Sequence, residues 1–337
     1  MKPETQTSPS NSGQRATEIK YDINSAHFHA SVARALRLSK KKSLISYDEI
    51  PVLWRTNPFI HNGYRFTSSI LSTLLSIFCL SNELVNIWTH LFPAFIISWY
   101  IYSTPIVETF QDGGLGKRSD ALVAGGFMAA TLATLLFSTA WHTFRCNSRI
   151  RLMAAFVSVD IMSISIMMTS FSVLTTHLSL YMQPTLRASY LYSQMLWGIT
   201  GMMLPWTNLF RPAAVAHLTL PLPVSWPLSR AASRLIFFIC LGIQGIIVPL
   251  VHANFVNGWE YTSKIYKLAG QAILPMFIGS LIYGSKFPER GWPGKFDFIG
   301  CSHNIWHVAS AMAAINACRF LVAMFEHAWE QARISEL

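Results

Sequence analysis

Charge is what this sequence has least of. Of its 337 residues only 12% are Asp, Glu, Lys or Arg, while 52% are hydrophobic. A soluble domain carries about a quarter charged residues, so this chain cannot clothe a globule of its size in solvated side chains. A disordered chain is excluded as well, because disorder requires low hydrophobicity. Cysteine is sparse: Cys79, Cys146, Cys240, Cys301 and Cys318, an odd number with no CxxC pair. That argues against a disulfide framework and a thiolate zinc site. The opening residues, MKPETQTSPSNSGQRATE, lack an apolar core and do not read as a cleaved signal peptide. Insertion is then expected to rest on the first apolar span.

Long uncharged runs are what the chain has instead. Residues 84–102, 121–139 and 235–251 contain no Asp, Glu, Lys or Arg, and each is long enough to cross a bilayer. The pattern predicts an all-α integral membrane protein with seven spans, at about 84–102, 121–142, 153–176, 189–209, 234–252, 265–284 and 299–325. Four regions follow. Residues 1–43 are polar, end in the run Lys40, Lys41, Lys42, and read as a disordered tail whose basic end is solvated near an anionic membrane surface. Residues 44–83 form a turn-prone segment that includes an interfacial helix at 66–79. Residues 84–325 are the seven-helix domain, and 326–337 a short external tail.

The formal charge of +10 does not point to nucleic acid, because the cations cluster at the ends of apolar runs. Of the 26 Lys and Arg, 19 lie on the side holding the N-terminal tail and the connections after spans two, four and six. Cytoplasmic loops are Lys/Arg-rich, so the expected N-terminus is cytosolic and the C-terminus external or luminal.

Polar side chains inside spans carry the chemistry. His303 and His307, in SHNIWHVAS, are four apart and share one helix face. His142 closes the second span in FSTAWHTF, with Ser138 one turn earlier. Asp160 lies within the third, and an ionisable group there usually has a functional partner. The expected topology puts all four groups at one depth, in the cytosolic half. Alone, His142 reads more plainly as a headgroup-level histidine; together, His142, His303 and His307 read as a three-histidine metal site with an open position, the coordination of catalytic zinc. Asp160 would accept or hold the proton of a water there, and Ser138 would orient His142, contact that water or donate to a substrate carbonyl. His177, His217 and His252 read as interfacial residues. Glu83, Asn86 and His90 form a stripe at the start of the first span, read as helix capping, a cavity cap or a partner for a loop arginine.

These residues carry a resemblance. NELVNIWTHL at 82–91, Ser138 and His142 in STAWHT, Asp160 and SHNIWHV are arranged as in the progestin and adiponectin receptor family, which includes adiponectin receptors, fungal zinc-homeostasis proteins and haemolysin III-type proteins. The likeness spans about 47–325, and the run from Asn82 to Asn86 resembles the fungal version. It implies a seven-helix bundle with cytosolic N-terminus and a zinc ion on the cytosolic side held by His142, His303 and His307. It also places Asp160 at the zinc-associated water, and Ser138 matches the serine one turn before the first ligand. Because the family resembles alkaline ceramidases, it implies a receptor or regulator of lipid and zinc homeostasis with a zinc-dependent amide hydrolase activity. The alternative is a sensor in which zinc is structural. Expected partners are membrane lipids, ceramide or a fatty acid, and an extracellular protein ligand, at the plasma membrane or endoplasmic reticulum.

Overall fold

The computed structural model describes residues 23–103, 118–211, 215, 218 and 228–335. Among these, regular structure is entirely helical. Two short helices, α1 (Ala26–Lys42) and α2 (Ile70–Leu75), precede seven long ones. These are α3 (Leu84–Ser103), α4 (Arg118–Phe144), α5 (Ile150–Ser179), α6 (Pro184–Met203), α7 (Arg230–Asn257), α8 (Trp259–Ser285) and α9 (Ser302–Ser335). Six of them, all but α6, are long and apolar enough to cross a membrane. α6 falls short in composition because Thr185, Arg187, Ser189 and Ser193 lie in its first half and Gln194 follows them. Large apolar side chains such as Phe92, Trp99, Leu196, Phe255 and Phe277 are exposed around the flanks, the pattern of a bundle solvated by lipid rather than water.

Local chemistry explains where the helices begin and bend. Ser25 and Ser229 start α1 and α7, their hydroxyls accepting from the backbone N–H of Phe28 and Ala232. α7 and α8 meet at Gly258, whose φ of 81° is reached without strain only by glycine. Inside α7, Pro249 has no N–H for the carbonyl of Gly245, and its ring crowds that turn. The helix widens to a π turn at Ile243–Ile247, and the freed carbonyl accepts from the Gln194 side chain of α6 at 2.9 Å. A neighbouring helix thus re-satisfies the backbone. Gly245 also lets α7 approach α5, since a Cβ there would stand 2.3 Å from the Ser172 hydroxyl. Such close, small-residue contacts drive helix association in lipid, where apolar burial has no water to escape.

Two expectations are corrected here. Residues 26–42, assigned by composition to a disordered tail, form α1; its apolar face, with Ala35 fully buried and Phe28, Val32 and Leu36 against the core, packs on Trp54. Residues 1–22 lie outside the described residues. The expected external tail from 326 is instead the last part of α9, where Ala328 and Trp329 are buried. The interfacial stretch 66–79 contains α2 and a 3-10 turn at Ser76–Phe78.

The segment before α3 forms a cap over one end of the bundle. Ile45 and Tyr64 pair through mutual backbone bonds of 2.8 and 3.1 Å, and Leu53, Trp54, Ile60 and Phe66 are buried beneath. The Trp54 indole donates to the carbonyl of Asn147, just beyond α4, at 3.2 Å. This cap lies over the ends of α3, α4 and α9 that carry the site.

Candidate metal centre

His142 sits in the last turn of α4 and is 1% exposed. Its Nδ1 is 2.7 Å from Glu83 Oε2. Glu83 Oε1 in turn receives Arg145 at 2.6 Å. A carboxylate held by arginine accepts rather than donates, so the Nδ1–H of His142 donates to it and the Nε2 lone pair is left free. That Nε2 faces the Nε2 of His303 at 3.3 Å.

His303 and His307 lie one turn apart at the start of α9, and the three rings converge, with centroids 4.5–5.0 Å apart. One donor atom from each lies within 4.8 Å of the other two. Nitrogens sharing a tetrahedral zinc at about 2.0–2.1 Å stand roughly 3.3 Å from each other. The His142–His303 spacing matches that, and small ring rotations would close the remainder. The Nδ1 atoms of His303 and His307 are buried and have no hydrogen-bond partner. Two facing Nε2 atoms can share only one proton, and buried polar atoms without partners are costly. A cation at the convergence takes the facing Nε2 lone pairs in place of that proton, so the residues fit a metal ion.

The surroundings fix these rings. Asn304 of α9 donates to Asn86 at 2.7 Å, and Asn86 donates to Glu83 at 2.9 Å. This polar chain links the starts of α9 and α3 to the end of α4. His90 stacks on His307, centroids 4.0 Å apart, and its Nε2 is 2.8 Å from the Ser310 hydroxyl. Asp160 on α5 has His142 and Ser138 beside its carboxyl but is outside the converging donor set. Cys146 and Cys301 also lie outside that donor set.

A family model described as Haemolysin-III related matches residues 78–318. The chain belongs to this family. The resemblance drawn from the sequence motifs therefore holds, and the matched stretch of this Haemolysin-III related protein includes Glu83, Ser138, His142, Asp160, His303 and His307. The chain is 30% identical over 290 residues to the uncharacterized protein C30D11.11 of Schizosaccharomyces pombe, covering 86% of this chain and 60% of that protein's length. It is 28% identical over 302 residues to the ADIPOR-like receptor IZH2 of Saccharomyces cerevisiae, covering 88% of both. It is 31% identical over 288 residues to heptahelical transmembrane protein 1 of Arabidopsis thaliana, covering 82% and 80%. With six helices of membrane-spanning length and composition, it is an adiponectin-receptor-like, multi-pass integral membrane protein.

Spacing alone could not assign Glu83 its place. It belonged to a stripe with three open readings, and the structure selects the arginine partner, Arg145, while adding His142. The available signal was a carboxylate at the start of a span, where an unpaired charge is expensive. His177 is corrected: it is buried, with its Nε2 2.6 Å from Asp120 Oδ1. Asp120 also accepts from Tyr181 at 2.8 Å and Trp329 at 2.9 Å. The helices α4 and α9 are thus joined at both ends, by the histidine site at one and Asp120 at the other. His252 bonds Tyr190 at 2.9 Å, and His217 lies outside the described residues.

Proposed function

We propose that this protein is a seven-span, adiponectin-receptor-like regulator of lipid and zinc homeostasis that holds one zinc ion through His142, His303 and His307 and hydrolyses a lipid amide of the ceramide type. The observation that carries this reading is the convergence of three imidazoles, those of His142 and His307 buried and those of His303 and His307 each with an unpartnered nitrogen, beside the Asp160 carboxyl and the Ser138 hydroxyl. In this reading α6 is the additional span, the N-terminus is cytosolic, and an extracellular protein ligand acts from the opposite side. The Lys/Arg asymmetry supports that orientation.

When bound, zinc supplies Lewis acidity and brings the pKa of a water close to neutrality. A carboxylate oxygen of Asp160 takes the proton from the attacking water. Ser138 holds that carboxyl in place. As the amide C–N bond breaks, Asp160 returns the proton to the departing amine, leaving a fatty acid. Glu83 keeps the Nδ1–H of His142 directed away from the site, and Arg145 keeps Glu83 ionised. The alternative is a sensor with structural zinc, favoured by the way Glu83, His142 and the α9 histidines tie three helices together.

The Asp160→Asn variant separates the two. Metal content and fatty-acid release from labelled ceramide are measured on the same preparations. The expected result is near-normal zinc with turnover lowered about 10–100-fold or more. Wild type releasing no fatty acid above a His303→Ala background would leave the sensor reading standing. Complete loss of metal from Asp160→Asn would make Asp160 itself a ligand.

A further inference from the structure

A second polar feature at the capped end is not used by the metal centre. A small cleft, partly open to solvent, lies between the cap and the end of α4, lined by Trp54, Arg65, Phe66, Asn82, Glu83 and Arg145 among others. Within it the Nε and Nη2 atoms of Arg65 are both buried and have no hydrogen-bond partner. These two donors lie along one edge of the guanidinium. That edge is the fork that grips two oxygens of one anion.

A lysine or histidine stranded in this way can relieve the cost by losing its proton. A guanidinium cannot. The one carboxylate in the lining is already engaged. Glu83 gives Oε1 to Arg145 and Oε2 to His142 and Asn86. Arg145 is itself a donor, to Glu83 and to the Thr56 hydroxyl. The Cys146 thiol, another lining group, is held protonated by burial. The cleft therefore contains two guanidinium charges and one carboxylate, which Arg145, His142 and Asn86 already bond. A single water offers one oxygen to a two-donor fork and leaves the charge unbalanced. A tetrahedral oxyanion offers two oxygens and balances it.

We propose that Arg65 holds a phosphate-type oxyanion in this cleft, beside the carboxylate that orients His142. The ligand is either free phosphate or the phosphate of a lipid headgroup. The assignment does not rest on amide hydrolysis or on metal occupancy.

The test uses the full chain, delipidated in a phosphate-free maltoside detergent. Its thermal midpoint is followed against inorganic phosphate, dioctanoyl phosphatidic acid, and chloride at matched ionic strength. The expected result is a saturable rise with phosphate or phosphatidic acid that chloride does not give. Tighter binding of phosphatidic acid assigns the headgroup, and equal binding assigns free phosphate. Arg65→Lys keeps the charge but loses the fork, and should weaken binding about tenfold or more. Neither ligand shifting the midpoint beyond chloride, or Arg65→Lys binding as wild type, would overturn the site. Should Arg65→Lys not fold, broadening of the phosphorus-31 signal of phosphate by wild type decides the matter, and its absence counts against the proposal.

Discussion

Replacing Glu83 by Gln is the most informative perturbation of the candidate metal centre. The substitution nearly preserves shape and keeps one carbonyl oxygen, but removes the charge that Arg145 pairs with at 2.6 Å and that His142 Nδ1 meets at 2.7 Å. An uncharged amide can present either its oxygen or its NH2 to His142. In the second orientation it takes the hydrogen bond as a donor, the imidazole proton moves to Nε2, and the nitrogen facing His303 loses its lone pair. Partners of this kind, hydrogen-bonded behind a ligating histidine, typically contribute about 10–100-fold to metal affinity, equivalent to about 1.4–2.7 kcal/mol. Arg145 loses its counter-ion but not all its support, because it also donates to Thr56 and lies 5.8 Å over the Trp141 ring. The fold should therefore survive. Zinc affinity is measured on detergent-purified protein by competition with a chelator, alongside total metal content. Glu83→Gln should bind zinc about 10–100-fold more weakly, whereas His142→Ala, which removes a ligand, should lose occupancy altogether. An affinity for folded Glu83→Gln within twofold of wild type would refute the orienting role.

Two further outcomes are expected. Asp120→Ala should lower the stability of the bundle by about 3 kcal/mol or more, because it leaves the buried His177, Tyr181 and Trp329 without a shared acceptor; metal content should stay unchanged, as the two polar clusters occupy opposite ends of α4 and α9, and chemical denaturation with metal analysis checks both. For topology, a glycosylation acceptor appended after Leu337 should be modified and one inserted near Ser10 should not, and the reverse pattern would invert the orientation drawn from the Lys/Arg distribution.

The sequence by itself determined the helical membrane class, because runs without charge leave the backbone no partners in lipid other than its own. It also determined the pairing of His303 with His307, since four residues make one turn, and the candidacy of His142 and Asp160, whose polarity is costly at their depth. Span ends were less legible: α9 continues to Ser335 past the expected 325, because Glu326 and Glu330 interrupt the apolar pattern without interrupting the helix. α1 was hidden because its polar composition says nothing of the apolar face that Trp54 covers. Only the tertiary structure decided which groups complete one another. Glu83 is separated from His142 by 59 residues, and Asp120 from Trp329 by 209. Hydrogen-bond partners that distant are chosen by how helices pack, and periodicity within a helix contains no record of its neighbours.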